Sequence, residues 1–470
     1  MSFESLDSHS RAILGVLSFI QPDKIPEALF EPESSTALPA SLKFCSDNFL
    51  FSPAIENLVT LELIKRDKAS RTLSLHRPVQ DNFKSSMNPE QRQQAFNDAT
   101  MLVSTAFPHR DSTVAQLYQM WAGCAVYEPH VIALKDNFKK ELVANPKFTV
   151  PQAYCIMSNM CQRYLLELRS FEVLADLLDV NTMALATLRE SEQTINIQGS
   201  LTSHKGQLLT HIGKAEEGVK WLRKSYDIRS RDVPFHPRES AWAADNLAVG
   251  FATLNRFEEA AKWHIKARDH FQEWSNHQTE RKGEWPAEIM NSMGLGLVWS
   301  GQPTPARELM DGALEKVNSV EPYNWAVAAS THFGLGTVER YEGNWDAAEA
   351  HFIEAQNLWL QRSRILSDPF NGACLYRLGC TALDKGQPED AVRYLRDALE
   401  VTKKRKTEMV AEHMRGLFKL SEALEQEPRY AEEARATRDE AESLLRQLVP
   451  DASNAGKEST YDSLVCILWR

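Results

Sequence analysis

The pattern of apolar and polar positions changes once along the chain, near Pro89. Before this point, an amphipathic stretch from Leu6 to Ile20 predicts a helix, and a second helix is predicted from Pro53 to about Arg66. Leu73 and Leu75 then alternate with polar residues, as in a half-buried strand. Beyond Pro89 the apolar residues recur at helical spacing, so the rest of the chain is predicted to be a succession of helices.

Five segments of the helical part repeat one arrangement of small and large residues. The small residues of the first helices lie 42, 46, 42 and 43 positions apart, at Gly206, Ala248, Gly294, Gly336 and Gly379. Turns are expected at Gly213, Asn255, Gly301, Gly343 and Gly386, and the second helices then carry Leu222, His264, Met310, Phe352 and Leu395. Small residues let antiparallel helices approach closely, while these mostly large residues are expected to fill the gap to the next pair.

This spacing predicts an all-α, tetratricopeptide-like (TPR-like) solenoid, a superhelix of antiparallel helix pairs. The period near 42 is longer than the usual period of about 34, and it resembles the longer repeats of kinesin light chains and fungal repeat proteins. Helix, helix and short strand at the start favour a small winged-helix module. The predicted domains are a winged-helix-like module at 1–85, a helical connector at 86–152, the TPR-like superhelix at 153–445 and a C-terminal capping segment at 446–470.

Four segments carry a further resemblance, to the C-terminal region of fungal STAND-type NTPases, where a winged helix precedes long tetratricopeptide repeats. They are LGVLSFIQPDKIPEALF (14–30), LIKRDKASRTLSLHRPVQ (63–80), WAGCAVYEPHVIAL (121–134) and YDSLVCILWR (461–470). The resemblance implies a scaffold derived from such a protein without its NTPase domain. The chain departs from the family because it has no G-x-x-x-x-G-K-[ST] phosphate loop, and Pro78 interrupts the expected strand. NTP hydrolysis therefore has no machinery here.

Composition and charge limit the classes of partner that the chain is expected to bind. The chain has 53 Lys and Arg against 64 Asp and Glu, a formal net charge of −11, so nucleic acid and anionic membranes are not expected partners. No run approaches the roughly 18 apolar residues of a membrane span. The seven cysteines lack C-x-x-C spacing, which favours a reducing, cytoplasmic location.

No catalytic or metal-binding motif is present in the sequence. There is no H-E-x-x-H and no G-x-S-x-G, and His264, His270 and His277 are spaced six and seven residues apart, offsets that do not converge as i, i+4 ligands do on one helix. We therefore expect no metal and no cofactor, and whether the protein is an enzyme stays open at this point.

The remaining candidate site is the concave groove of the superhelix, which the exposed positions of the first helices are expected to line. Nine residues are candidates for ligand binding in this groove: His211, Trp242, Asp245, Asn246, Asn291, Trp299, His332, Asn371 and Tyr376. The tryptophans have an equally good alternative role, which is to fill gaps between repeats. Asp245 and Asn291 stand where a cation would be needed, so capture of an acidic peptide terminus is disfavoured.

Two functions are compatible with such a groove. The first is a non-NTPase scaffold that binds a partner protein or peptide. The alternative is a fungal secondary-metabolite cyclase, a cofactor-independent pericyclase of the Diels-Alderase type, which would hold an apolar small molecule in a reactive fold. The apolar run LVCILW near the end of the chain is a candidate plug for one end of the superhelix. A pocket of roughly 300 to 1,000 Å³ would favour the cyclase, and an open groove would favour the scaffold.

Overall fold

The computed structural model describes residues 3–31, 38–109, 116–231, 236–277, 285–321, 323–363, 368–452 and 454–470. The chain divides into two compact units. The first contains Met1–Glu167 and Val173–Leu201, and the second contains Leu168–Glu172 and Thr202–Arg470. The α-helices and β-strands below are numbered in chain order.

The first unit opens with three short strands among helices. The elements are α1 (Ser8–Leu17), β1 (Ile25–Pro26), α2 (Asn48–Thr60), β2 (Ile64–Asp67), β3 (Thr72–Leu75) and α3 (Arg77–Ser86). The strands form an antiparallel sheet in the order β1-β3-β2. Buried Leu73 and Leu75 face the core from β3, where the alternating pattern predicted a strand. Pro78 lies in the first turn of α3, where a missing backbone N–H costs nothing.

The predicted limits of the second helix were wrong at both ends. The Asp47 side chain accepts a hydrogen bond from the backbone N–H of Phe49 and starts α2 at Asn48, so Pro53 lies inside the helix. The helix ends at Thr60 because the chain turns through Glu62, whose φ is 55°, and then pairs with β3. The apolar residues before Arg66 are therefore shared between a helix and a strand.

Four further helices belong mainly to the first unit. They are α4 (Pro89–Ala106), α5 (Trp121–Ala144), α6 (Gln152–Glu167) and α7 (Phe171–Leu185). Asn88 and Gln91 form a reciprocal capping box that begins α4. The core between these helices is aromatic, with the ring of Phe96 lying 5.2 Å from Phe148 and 6.0 Å from Tyr154.

The second unit consists of consecutive antiparallel helix pairs. The first helices of the pairs are α8 (Glu192–His211), α10 (Pro237–Thr253), α12 (Ala287–Trp299), α14 (Trp325–Glu342), α16 (Pro369–Asp384) and α18 (Val410–Glu425). The second helices are α9 (Ala215–Ser230), α11 (Phe257–Asn276), α13 (Pro303–Asn318), α15 (Trp345–Ser363), α17 (Pro388–Lys403) and α19 (Ala431–Leu448), and a short helix α20 (Glu458–Asp462) follows. The fold is the predicted all-α, TPR-like solenoid.

The repeat geometry places the small and large residues against each other within a pair. A Cβ atom added to Gly206 would lie 2.6 Å from Leu222, and one added to Gly336 would lie 2.8 Å from Phe352. The large residue of the second helix thus occupies the space that the small residue of its own pair leaves open. Met310 also reaches the next pair, because a Cβ atom at Gly334 would lie 2.7 Å from it.

All five predicted turn residues have positive φ angles. Gly213, Gly301, Gly343 and Gly386 have φ between 71° and 82°, and Asn255 has a φ of 59°. This left-handed conformation suits glycine and, among other residues, asparagine. The asparagine at the second turn keeps a side chain there, which the other four turns lack.

Candidate functional site

The last residues of the chain lie against the first helices of the repeats. We call Glu458–Arg470 the closing segment, which consists of α20 and a short 3-10 turn at Ile467–Trp469. The faces of α10, α12, α16 and α18 that contact it are called the inner wall. Five closing-segment side chains are fully buried: Tyr461, Val465, Cys466, Ile467 and Arg470. A segment outside the repeat pattern therefore occupies the surface on which the sequence placed the ligand groove.

One end of the inner wall is apolar and contacts the closing segment through apolar side chains and hydrogen bonds. Ile467 and Leu468 pack into the clusters of α10 and α12, against residues such as Leu247 and Leu295. The backbone N–H of Ile467 donates to Thr253 Oγ1 at 3.2 Å.

Arg470 fixes the end of the closing segment at the apolar end of the inner wall. Its guanidinium donates to the carbonyl oxygen of Thr253 and, at 2.6 Å, to Asn255 Oδ1. The same guanidinium donates to the carbonyl of Val465 within the closing segment. The asparagine at the second turn therefore has a partner that a glycine there would not have.

The other end of the inner wall is charged. Arg415 of α18 donates to Asp462 at 3.2 Å and to the carbonyl oxygen of Trp469 at 2.9 Å. Lys419 donates to Glu458 at 2.5 Å, and the Tyr376 hydroxyl donates to the same carboxyl group at 3.1 Å. These are charge-assisted hydrogen bonds from buried donors, which are stronger than neutral ones.

Arg377 adds a further buried cation to the charged end. Its side chain is 1% exposed, and its guanidinium lies 5.4 Å from the Trp299 ring. Within the described residues, its Nε and Nη2 atoms have no hydrogen-bond partner. Burial, and then the positive charges of Arg340 and Arg415, lowers the pKa of Arg377 below its ordinary value. The carboxylates near this end of the wall therefore do not fully neutralise its positive charge.

Trp469 lies beside a second buried ion pair. Its ring packs 5.6 Å from Phe370, and the guanidinium of Arg169 lies 4.9 Å from it. Arg169 forms a buried ion pair with Glu412 of α18. A cavity of about 20 Å³ lies here, and its lining includes Trp469, Arg169, Glu412, Tyr376 and Arg415. That volume holds about one water molecule.

The structure brings two of the nine predicted residues to the closing segment. Tyr376 binds Glu458, and Trp299 packs into the cluster that contains Ile467. The ring of Tyr376 also lies under the guanidinium of Arg415, at 4.0 Å. These two residues stay our proposals for ligand contact.

The other seven candidates make contacts between helices of the same or adjacent pairs. Trp242 packs on Phe271, Asp245 Oδ1 lies 3.1 Å from His264 Nδ1, and Asn246 donates to Ser203. Asn291 donates to Thr331 at 2.6 Å, and Asn371 accepts from Gln356 at 2.7 Å. His332 and His351 approach to 3.0 Å, and His211 stacks on Phe171.

The nine candidates did not include the cations of the charged end. Arg377 interrupts a mostly apolar part of α16, which is a sequence feature that could have marked it, whereas Arg415 and Lys419 lie among other charged residues of α18 and have no such mark. The repeat containing α18 is degenerate, so its positions could not be assigned by counting from a glycine. The sequence argument that acidic ligands are disfavoured rested on Asp245 and Asn291. It does not apply near α16 and α18, because the cations there suit acidic groups.

The described residues offer no other obvious chemical centre. Among them, no group of three or more His, Cys, Asp or Glu side chains could hold a metal ion. None of the helices in the described ranges is long and apolar enough to cross a membrane.

Family models match both ends of the chain. One described as a domain of unknown function (DUF7779) matches residues 1–92, and two described as tetratricopeptide repeat match 326–404 and 376–452. The C-terminal region therefore contains tetratricopeptide repeats. No curated protein sequence matches the chain significantly.

Several solved structures are similar to the chain at low identity. NprR in complex with its cognate peptide NprX is 12% identical, with a TM-score of 0.47 over 74% of this chain and 97% of that one. A Rap protein complexed with competence and sporulation factor is 13% identical, with a TM-score of 0.47 over 74% and 91%. BtubC from P. vanneervenii is 18% identical, with a TM-score of 0.35 over 48% and 87%.

Proposed function

We propose that the second unit is a scaffold that recognises a peptide or a peptide-like segment of a partner protein on its inner wall. One observation carries this proposal: the wall already binds a segment that is not part of any repeat. The contacts combine backbone hydrogen bonds at Thr253 with ion pairs at Arg415 and Lys419. This combination of backbone bonds, apolar anchors and charge pairing is how grooves recognise peptides in general.

The alternative cyclase function gains no support from the interior cavity. A substrate pocket of that kind needs roughly 300 to 1,000 Å³. The cavity beside Trp469 measures about 20 Å³, which is too small for a polyene. A second cavity of about 320 Å³ lies beside α17, but its lining is mostly charged, as at Glu389, Arg393 and Arg429, and does not suit an apolar polyene. The two cavities therefore favour recognition of a segment that replaces or resembles the closing segment.

On this proposal, residues 1–85 form a winged-helix-like module that packs against protein rather than reading DNA. The strand order β1-β3-β2, with α1 and α2 beside it, is compatible with that description. The two arginines of the β2-β3 hairpin are neutralised, since Arg66 pairs with Glu27 and Arg71 pairs with Glu31. An arginine whose charge is already neutralised by a carboxylate contributes little to the binding of DNA phosphates.

The domain limits and the origin are further parts of this proposal. We place the connector at 86–152, the superhelix at 153–445 and the cap at 446–470, in a protein that acts in the cytoplasm. The four segments described from the sequence support descent from a fungal STAND-type protein. The N-terminal match to a domain of unknown function is compatible with this descent but does not test it.

Selection of random displayed peptides on the purified full-length protein tests the proposed function. We expect the enriched peptides to lose about tenfold or more in affinity for the Trp299→Ala variant. The Trp221→Ala variant is the matched control, because Trp221 lies on the second helix α9, where Lys205 and Lys224 cover its ring. Failure to enrich any peptide, or equal loss in both variants, would contradict the proposal.

A further inference from the structure

The closing segment supplies part of the charge balance of the inner wall. Arg340, Arg377, Arg415 and Lys419 are the cations there, and all four contribute to the electrostatic environment of Glu458 or Asp462. The repeats themselves supply Asp384 beside Arg340, Glu422 beside Lys419, and Glu412 near Arg415. Glu412 is already paired with Arg169. Release of the closing segment removes Glu458 and Asp462, so the exposed wall would then carry an excess of positive charge.

The two ion pairs are arranged as a ladder between two helices. Arg415 and Lys419 lie four residues apart on α18, and their partners Asp462 and Glu458 lie four residues apart on α20. Residues four apart share one helix face, so the crossed pairing requires the two helices to run in opposite directions. Binding at the ladder therefore requires two carboxylates at this spacing, and not negative charge alone.

An aromatic anchor lies between the two pairs. Tyr461 is fully buried and stacks on Phe418 of α18, with 4.5 Å between ring centroids. The apolar part of the closing segment begins two residues after Asp462, with Leu464, and ends with Trp469. The occupant of the wall is thus defined by two carboxylates one helical turn apart, an aromatic residue between them and an aliphatic-aromatic run further on.

The closing segment leaves several polar atoms of the site without hydrogen bonds. On the wall, within the described residues, these include Nε and Nη2 of Arg377 and the indole Nε1 atom of Trp299. A buried donor without a hydrogen-bond partner costs free energy. An occupant with acceptors at these points would therefore bind the wall more tightly than the closing segment does, at equal length. The connector to α19 is also largely exposed, at Pro450, Asp451, Asn454, Gly456 and Lys457. Between these exposed positions, Ala452 and Ala455 pack against the core.

We infer that the closing segment is an internal occupant of the peptide site, and that the partner is an acidic peptide of the same pattern that displaces it. This inference rests on the proposed function and names the chemistry of the partner. Because the closing segment is tethered, it competes at a high effective concentration, and the partner binds weakly until the closing segment is loosened.

Binding of a labelled synthetic peptide to the full-length protein tests the inference. The peptide has the sequence of residues 456–470 with Cys466→Ser, and its binding is followed by fluorescence anisotropy. We expect Trp469→Ala in the protein to strengthen peptide binding by about tenfold or more over wild type, because the internal competitor is weakened. Adding Arg415→Met and Lys419→Met should then abolish this gain. A peptide carrying Glu458→Gln and Asp462→Asn should bind about tenfold more weakly.

Two outcomes of this assay would overturn the inference. One is equal peptide affinity for wild type and Trp469→Ala, and the other is equal binding of the neutralised peptide. A dimer of Trp469→Ala that forms with rising concentration would also overturn it, because the occupant would then be the closing segment of a second copy. If selected peptides bind the wall without paired carboxylates, the inference fails while the proposed scaffold function stands.

A second measurement avoids dependence on the folding of Trp469→Ala. A protease site placed in the connector between Asn454 and Lys457 allows the wild-type closing segment to be cut but left bound. Exchange of the cut segment for the labelled peptide supports the inference. A cut segment that never exchanges is a fixed part of the core, and this result would reject displacement.

Discussion

The two ends of the inner wall hold the same segment by different physical means. At α10 and α12 the closing segment buries aliphatic side chains and donates hydrogen bonds to backbone oxygen and to Thr253. At α16 and α18 it is held by ion pairs of fixed spacing. Apolar burial depends on area and tolerates many sequences, whereas an ion-pair ladder accepts only carboxylates at the right positions. The apolar end therefore supplies most of the stability, and the charged end supplies the selectivity.

The largest expected effect lies at the apolar end. Ile467→Ala should lower the free energy of unfolding by about 3 kcal/mol, because a fully buried side chain leaves a cavity between α10 and α12. Urea denaturation followed by circular dichroism measures this loss. The control is Ile353→Ala on α15, where the side chain is 38% exposed and the expected loss is below about 1 kcal/mol. Equal losses in the two variants would show that the closing segment is not part of the stable structure.

A smaller effect is expected at the charged end. Arg415→Met should cost about 2 kcal/mol, since it leaves the Asp462 carboxylate and the Trp469 carbonyl without their donor. Adding Asp462→Leu should recover most of this loss, because a buried ion pair can be replaced by apolar groups at little cost. Additive losses in the double variant, measured by the same denaturation, would mean that Arg415 acts independently of the closing segment.

The smallest effect depends on pH. Burial raises the pKa of Glu458, but Lys419, Arg340 and Arg377 outweigh burial, so this pKa lies below its ordinary value of 4.5. A carboxyl group with a lowered pKa stabilises the fold above about pH 4.5, and this contribution is lost as the pH falls through the folded value.

Glu458→Gln should therefore cost about 1 kcal/mol at pH 7, and less as the solution is acidified below pH 4.5. Free energies of unfolding of both proteins across this pH range measure the difference. Glu432→Gln, at an exposed position of α19, is the control and should show no such trend. A constant difference at all pH values would argue that Glu458 is not paired in the folded protein.

Much of the fold could be predicted from the residue pattern because its determinants are local. A glycine or asparagine every 42 to 46 residues marks a left-handed turn, and all five marked turns have positive φ. A small residue in a first helix faces a large one in the second, as Gly379 faces Leu395. The limits of α2 were less predictable, since Leu63 and Ile64 have the same apolar character in a helix or a strand.

The candidate site could be predicted only in part. Counting from the small residues identified the wall that carries Tyr376 and Trp299, because helical periodicity fixes which face a residue occupies. Counting could not show that Asn246 and Asn291 are engaged by neighbouring repeats, since those contacts depend on how adjacent pairs are rotated.

Sequence alone determined the repeat, its turns and its helical pairs, because short-range sterics and periodicity decide them. Tertiary structure alone decided what the inner wall contacts. Arg470 and Thr253 are separated by more than two hundred residues, and Arg415 meets Asp462 only because the chain returns after α19. Such contacts are set by the path of the whole chain, and no local pattern of residues encodes them.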